Sequence, residues 1–327
     1  MSKVKKPIPN HFAQALRPGD LIDIVAPGSS ADFKLLEKAS RIFESWGYKT
    51  RFQLDLLKPD MMYLSNTDQY RFQSLKKALL AKDSKAVWCL RGGYGALRLL
   101  PFLQKVKKPK QKKLFIGLSD ITSIHLFLNQ KWNWQTLHGP LVDRVAQEVL
   151  SEENCTELKA ALDGSKNTFN FNNLMPLSDQ ALKVRTITGP VIGGNLMVAT
   201  SSVGTPWQIK GAGKILFFEE LNERAYRIDR CLQQMRQAGV FKKVKAVLFG
   251  DLVKCEEANG KDFVLPTLKN FFNELKVPAF YGVESGHADL QRPVFFNTKA
   301  KITTSAIDQT QPKVVIYSPY EILKPRK

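Results

Sequence analysis

Short apolar runs alternate with segments of helical periodicity through the first half of the chain. Leu21–Ala26 and Ala86–Leu90 are typical of buried strands, and a third apolar run ends at Gly117. After the first run, Asp32 can cap a helix whose apolar residues recur at helical spacing until Gly47 stops it. Strands that alternate with helices predict parallel βαβ units, and therefore an α/β fold built on a doubly wound, mostly parallel sheet.

The pattern loosens between Ser151 and Thr188, where asparagine, serine and proline interrupt it. A second series of apolar runs begins at Gly189, and the last runs are short and typical of β-strands. A chain of 327 residues is long enough for two domains. We therefore expect an N-terminal α/β domain over residues 1–165, a linker over 166–188 and a mixed α/β C-terminal domain over 189–327.

The composition indicates a globular protein of the cytoplasm. Apolar residues make up 43% of the chain and charged residues 24%. No segment approaches the roughly 18 apolar residues of a membrane span, and the N-terminal segment has no apolar stretch of the secretory type. The four cysteines are widely separated, which predicts a reducing compartment and no structural zinc.

The formal net charge of +19 favours anionic partners. Positive charge is most concentrated in the run from Lys105 to Lys113, which contains six lysines. No aromatic residue lies between them to stack on a base, and Pro109 indicates a loop. The run therefore predicts a solvated loop and disfavours nucleic acid, although a non-catalytic binder of nucleic acid or anionic glycan stays open as a function of another class.

Ser119 lies between an apolar strand pattern, Leu114–Gly117, and a helical pattern that starts directly after it. A sharp strand-to-helix turn exposes the hydroxyl of a nucleophilic serine, and the new helix directs backbone N–H groups at negative charge. The alternative interpretation is that Ser119 merely caps the helix.

A serine nucleophile needs a base, and the histidines differ in their surroundings. His287 lies in a loop of glycine and polar residues and ranks first, because loops on a rigid sheet concentrate catalytic groups. His138 lies in a turn and ranks second. His125 falls on the predicted helix after Ser119 and is expected in the core, and His11 lies in the polar N-terminal segment.

The acid that orients such a base is predicted at Glu219 or Glu220, which end the apolar strand Ile215–Phe218. Ligands of α/β proteins bind at the carboxyl ends of parallel strands. Side chains alternate across a strand, so one glutamate can face a site while the other serves the structure, for example by pairing with Arg224 or Arg227.

The glycine-rich turn Arg91–Gly95 has two interpretations. As a dinucleotide-binding loop it lacks the third glycine and the acid that should follow. As part of an oxyanion hole, it lets a backbone N–H approach a tetrahedral intermediate closely, and the N–H of Asp120 provides the second donor.

Together these segments resemble the LD-carboxypeptidase family of serine peptidases, from about Pro18 to about Pro319. The carriers of the resemblance are Ile24–Ser30, Arg91–Gly95, Ile116–Asp120, Leu137–Pro140, Gly193–Leu196, Leu216–Glu220, Tyr226–Arg230 and Gly286–His287.

The resemblance implies a triad with Ser119 as nucleophile, Glu219 as orienting acid and His287 as base. It also implies that the backbone N–H groups of Gly93 and Asp120 form the oxyanion hole. The implied reaction removes the terminal D-alanine from a murein tetrapeptide during peptidoglycan turnover, with no metal and no cofactor. A homodimer is implied as well.

Two further residues are expected to contact this muropeptide substrate, namely Arg91, a cationic partner for its free carboxylate, and Asn195. The segment Ala288–Pro293 departs from the family pattern, so substrate contacts beyond His287 do not carry over. Peptidases that resemble the microcin C self-immunity proteins are the alternative within the family. They use the same triad on peptidyl-adenylates and need a pocket aromatic that the sequence does not place.

Overall fold

The computed structural model describes residues 13–304 and 312–320, which contain two β-sheets. In spatial order the first sheet consists of β12 (Val294–Phe296), β5 (Thr136–His138), β4 (Leu114–Gly117), β3 (Ser84–Cys89), β1 (Leu21–Val25) and β2 (Lys49–Arg51). All neighbours are parallel except β12, which runs antiparallel to β5. The predicted α/β fold with a mostly parallel sheet is confirmed.

The helices associated with this sheet are α1 (Phe33–Ser45), α2 (Asp68–Leu80), α3 (Leu100–Leu103), α4 (Thr122–Phe127), α5 (Val142–Ala146) and α6 (Glu152–Asp163). Asp32 caps α1 as predicted, because its side chain accepts a hydrogen bond from the backbone N–H of Lys34 at 2.9 Å. The helix ends at Ser45, and Trp46 and then Gly47 follow it, with the φ of Gly47 at +89° in the left-handed region that glycine favours.

The second sheet is mixed. In spatial order it consists of β6 (Thr168–Phe171), β14 (Lys313–Tyr317), β13 (Lys299–Thr303), β8 (Thr186–Asn195), β9 (Ile215–Leu221), β10 (Ala246–Val253), β11 (Ala279–Tyr281) and β7 (Met175–Pro176). The strands β8 to β11 are parallel to one another, and the outer pairs are antiparallel. Its helices are α7 (Asp179–Lys183), α8 (Leu196–Thr200), α9 (Ala225–Gln237) and α10 (Val264–Leu275).

Residues 166–188, predicted as a linker, are built into the second sheet. They contain α7 and both edge strands, β6 and β7. Phe169 and Phe171 alternate with polar neighbours and are fully buried, a period of two that the asparagine-rich composition conceals. The division of the chain into two domains stays a prediction.

The largest hydrophobic cluster spans both sheets and includes Trp88 of β3, Phe217 of β9 and Phe296 of β12. The rings of Phe217 and Phe296 lie 5.9 Å apart. This packing holds β9 of the second sheet against β12 of the first. Among the described helices, none combines the length and the apolar character needed to span a bilayer.

Candidate active site

Ser119 lies on a strained turn between β4 and α4. Its φ of +67° is in the left-handed region, which is uncommon for a residue with a side chain. A short 3-10 turn, Ser119–Ile121, leads from it into the helix. Neither this turn nor α4 has a side-chain cap, so the interpretation of Ser119 as an ordinary helix cap is wrong. The geometry is that of a nucleophile turn.

The glycine-rich turn lies directly against this serine. A Cβ on Gly92 would approach the Cβ of Ser119 to 2.8 Å, and a Cβ on Gly93 would approach the Oγ of Ser29 to 2.3 Å. Ser29 binds the turn at two points, since its N–H donates to the carbonyl of Gly92 at 2.8 Å and its hydroxyl accepts from the N–H of Tyr94 at 3.0 Å. Only glycine fits here.

Two backbone N–H groups beside the serine have no acceptor. Within the part of the chain that the structure describes, neither the N–H of Gly93 nor that of Asp120 donates a hydrogen bond. Gly93 is exposed and Asp120 is buried, and two backbone donors without an acceptor beside a strained serine suit an oxyanion ligand.

The side chain of Asp120 holds the glycine-rich turn in place. Its Oδ2 accepts from the N–H of Ala96 at 2.8 Å. Burial raises the pKa of Asp120 to about 6, and the hydrogen bond from Ala96 opposes that rise. The buried Arg71 donates to the carbonyl of Gly95 at 2.9 Å and to that of Pro27. Hydrogen bonds to Asp120 and from Arg71 therefore hold the glycine-rich turn in place.

Glu219 and His287 form the hydrogen bond that the triad requires. The Nδ1 of His287 donates to the Oε2 of Glu219 at 2.6 Å, with the glutamate fully buried and the histidine side chain 16% exposed. Burial lowers the pKa of His287, but the charge of Glu219 and the hydrogen bond to it outweigh burial, and the pKa is raised overall. The Nε2 atom is left to accept a proton.

Glu220 points to the opposite face of β9, as strand alternation predicts. Its Oε1 accepts from the Nδ2 of Asn195 at 2.8 Å, and its Oε2 accepts from the N–H of Met197 at 2.9 Å. Burial, with the nearby charge of Glu219, raises the pKa of Glu220 to about 7. Glu220 therefore serves the structure through Asn195 and not through an arginine.

The two predicted substrate-binding residues differ in exposure. Asn195 is buried, and its Oδ1 accepts from the N–H of Val198 at 3.1 Å, which caps α8. The side chain of Arg91 is 49% exposed, with its Nε 3.9 Å from the Oδ2 of Asp143. Arg91 has a guanidinium open to an anion, whereas the amide of Asn195 is occupied by protein contacts. Their substrate contacts stay predictions.

The hydroxyl of Ser119 makes no hydrogen bond within the described ranges, so it is not joined to His287. We call the region around Ser119, Glu219 and His287 the crevice. Its serine turn and its Glu219–His287 pair are linked through Asn195, whose N–H donates to the Oγ1 of Thr122 on α4 at 2.9 Å. Asn195 is also the ladder partner of Glu219. In free enzymes the contact between nucleophile and base is often loose.

The structure places His138, the second candidate base, in the core. Its ring is fully buried and lies 5.3 Å from the rings of both Phe217 and Phe296. Burial holds the pKa of His138 well below its usual value. His125 is also buried, as predicted, and its Nε2–H donates to the carbonyl of Gly117 at 2.8 Å. His11 lies outside the described residues.

Asp251, at the carboxyl end of β10, is a member of the crevice that the sequence candidates omit. Its Oδ2 accepts from the N–H of Ala288 at 3.4 Å. A Cβ on Gly286 would lie 3.0 Å from the Cβ of Asp251 and 3.1 Å from that of Glu219. Asp251 ends an apolar run just as Glu219 does, and this shared pattern is the sequence signal that could have identified Asp251 as a candidate.

Burial raises the pKa of Asp251 to about 7. The N–H of Ala288 opposes this rise and the charge of Glu219 adds to it. Among the described residues, no group of three or more histidine, cysteine, aspartate or glutamate side chains could hold a metal ion.

Comparison with known proteins matches both halves of the chain. Residues 22–139 match the LD-carboxypeptidase N-terminal domain, and residues 188–302 match the LD-carboxypeptidase C-terminal domain. A putative carboxypeptidase of Rickettsia conorii is 38% identical over 285 residues, which cover 87% of this chain and 88% of the relative.

Two solved structures are similar over nearly the whole chain. The muramoyltetrapeptide carboxypeptidase from Oxalobacter formigenes has a TM-score of 0.77 at 25% identity, over 92% of this chain and 100% of that one. The microcin C7 self-immunity protein in complex with aspartyl sulfamoyl adenosine has a TM-score of 0.77 at 20% identity, over 94% and 98%. The second likeness concerns the fold alone.

Proposed function

Because the chain belongs to the LD-carboxypeptidase family, we propose that it removes the terminal D-alanine from murein tetrapeptides through an acyl-enzyme on Ser119. The observation that carries the proposal is the 2.6 Å hydrogen bond between His287 and the buried Glu219. It occurs in a fold that also presents a strained, half-buried serine. The similarity to a muramoyltetrapeptide carboxypeptidase supports the substrate class.

Acylation begins at the hydroxyl of Ser119. Its Oγ attacks the carbonyl carbon of the amide between the L-centre and the terminal D-alanine, while its proton passes to the Nε2 of His287. Glu219 keeps the proton of His287 on Nδ1, so that Nε2 is the basic atom, and it stabilises the imidazolium that forms.

The tetrahedral intermediate carries its charge on the former carbonyl oxygen. The free N–H groups of Gly93 and Asp120 donate to that oxygen, and each such donor contributes about 3–4 kcal/mol to transition-state stabilisation. Because Ser29 and the carboxylate of Asp120 hold the turn in advance, little reorganisation accompanies the reaction.

The C–N bond then breaks, and the imidazolium gives its proton to the departing amine of D-alanine. Water, deprotonated by His287, attacks the acyl-enzyme and releases the shortened peptide, and the proton returns to Ser119. The guanidinium of Arg91 at the edge of the turn is our candidate for holding the substrate carboxylate by charge-assisted hydrogen bonds.

The test is incubation with purified muropeptide tetrapeptides and detection of the lost D-alanine by mass spectrometry. We expect release by the wild-type enzyme and a loss of more than about a hundredfold in Ser119→Ala, with an unchanged circular dichroism spectrum. A Ser119→Ala variant that keeps more than about a hundredth of the rate would rule out the nucleophile.

The same assay separates the alternative within the family. An aminoacyl-adenylate mimic is offered beside the tetrapeptide, and cleavage of the mimic alone would replace the murein substrate by a peptidyl-adenylate. We also propose that the enzyme is a cytoplasmic homodimer, as the sequence and the family resemblance imply, and light scattering would report twice the mass of one chain.

A further inference from the structure

A surface groove lies between α2 and the loop that follows α3, formed by residues of both. Its floor is apolar and consists of Phe72, Leu80, Phe102 and Val106, and its volume is about 580 Å³. The rings of Phe72 and Phe102 lie 5.3 Å apart. Pockets that bind small molecules have volumes of roughly 300–1,000 Å³ and mainly apolar walls, so the groove has the size and lining of a ligand site.

The rim of this groove is cationic. It consists of Lys76, Lys105, Lys107, Lys108 and Lys110. No carboxylate is among the lining residues, and within the described ranges none of these five lysines has an ion-pair partner. Like charges gathered on one rim repel each other, and a bound anion relieves that repulsion.

The lysine run therefore divides into two parts with different roles. Lys113 is buried, and its Nζ donates to the carbonyl of Ala78 at 2.6 Å. The Nζ of Lys112 donates to the carbonyl of Asn133 at 2.8 Å. These two lysines anchor the loop to the sheet, whereas those from Lys105 to Lys110 surround the groove. The prediction of a solvated loop is confirmed for the exposed Lys105, Lys107, Lys108 and Lys110 and is wrong for the buried Lys113.

We propose that this groove binds a single-chain anionic amphiphile, with its acyl chain on the accessible part of the apolar floor (Leu80, Phe102 and Val106) and its carboxylate or phosphate head among the lysines. Every polar side chain in the lining is an ammonium group, which donates hydrogen bonds and accepts none. An acidic peptide would leave its own backbone N–H groups without side-chain acceptors. Nucleic acid stacks successive bases on several aromatic faces, but Phe102 is the one aromatic side chain of the lining that is not buried.

Isothermal titration calorimetry on the full chain tests the proposal below the critical micelle concentrations. Dodecanoate and a monoacyl phosphatidylglycerol carry the two anionic heads. Dodecyltrimethylammonium carries a similar tail with a cationic head, and acetate and inorganic phosphate provide heads without tails. We expect saturable binding of one or both anionic amphiphiles and none of the three controls. Binding of dodecanoate alone identifies a free fatty acid, and binding of the phospholipid alone identifies a lipid head group.

Substitutions of groove residues test whether the amphiphile binds at the groove. Lys107→Gln with Lys108→Gln should weaken binding about thirtyfold, since each of the two ammonium groups near an exposed anion contributes on the order of 1 kcal/mol. Leu80→Asp introduces a carboxylate at a floor position that is already 38% exposed, and it should weaken binding further without affecting the core.

The matched control is Lys183→Gln with Lys269→Gln, which removes the same charge from exposed positions elsewhere. Equal weakening by both lysine pairs would mean general attraction to a basic protein and would overturn the proposal. Full affinity in Leu80→Asp, or tighter binding of an acidic peptide or an oligonucleotide than of either amphiphile, would overturn it as well.

Discussion

At the scale of single residues, the crevice depends on how burial and charge set proton affinities. Glu219 and Asp251 approach the loop of His287 from neighbouring strands, and both carboxylates raise the pKa of the imidazole. A general base must be neutral to accept a proton. The pKa of His287 therefore sets the acidic limb of the pH profile.

Replacement of Glu219 by glutamine tests this dependence. Because Glu219 provides the main contributions that raise the pKa of His287, we expect Glu219→Gln to move the acidic limb of kcat/KM to lower pH. The rate should also fall by about 10³–10⁴-fold, since the amide no longer fixes the tautomer. Glu274→Gln, an exposed change on α10, is the control. An unmoved acidic limb in Glu219→Gln would contradict the assignment of His287 as base.

The raised pKa of Asp251 predicts how the stability of the protein depends on pH. The pKa of Asp251 in the folded protein, about 7, lies above the ordinary aspartate value of 3.8, so the folded state binds the proton more tightly than the unfolded chain does. The unfolding free energy therefore falls as pH rises between these two values. We expect Asp251→Asn to remove this loss, so that its Tm advantage over wild type grows from pH 5 to pH 8. The exposed Asp289→Asn should show no such trend, and a constant difference for Asp251→Asn would contradict the argument.

At the scale of elements, the glycine-rich turn and the serine turn act as one unit. The turn is held by Ser29, Arg71 and the carboxylate of Asp120, and it leaves the N–H of Gly93 free beside Ser119. Its function should therefore be more sensitive to small displacements than its stability is.

Two glycine substitutions separate these effects. Gly93→Ala and Gly213→Ala introduce the same methyl group at similar φ values of +76° and +73°. The new Cβ meets Ser29 only at Gly93, because nothing lies within 4 Å of the position at Gly213. Gly213→Ala should lose about 1–2 kcal/mol of stability from the left-handed backbone alone, and Gly93→Ala should lose more because its Cβ also clashes with Ser29. Only Gly93→Ala should also lose about a hundredfold in kcat/KM, and equal activity of the two variants would speak against the oxyanion role.

Local patterns were sufficient to predict some elements and insufficient for others. The cap at Asp32 and the turn at Ser119 depend on neighbours in sequence, so they were visible there. The edge strands β6 and β7 are defined by partners more than a hundred residues away. Asp251 joins the crevice only because β10 lies beside β9. Pairing between strands that are distant in sequence leaves no local signal of its own, whereas Asp251 did have one, since it ends an apolar run as Glu219 does.

At the scale of the whole molecule, the two sheets are not independent. The strand β12 comes from the last part of the described chain and pairs with β5 of the first sheet. His138 of β5 lies between Phe217 and Phe296, from the second sheet and from β12. The N-terminal half therefore depends on the C-terminal half for one edge and for part of its core.

Separate expression of the halves tests this dependence. We expect residues 1–165 alone to lack a cooperative thermal transition, because β5 would have an open edge and several buried aromatic residues would be exposed. Addition of residues 166–327 should restore the transition and the activity. A cooperative transition of the isolated N-terminal half, with the Tm of the intact protein, would show that β12 contributes little.

The position of β12 in the chain also determines when the first sheet and the proposed active site are completed during synthesis on the ribosome. His287 and β12 lie within ten residues of each other, late in the chain, so the proposed base and the strand that closes the first sheet emerge together. A nascent chain that already contains Ser119 still lacks both. On the proposed mechanism, hydrolytic competence arises only after His287 and β12 have been synthesised, and shorter nascent chains cannot cleave a muropeptide.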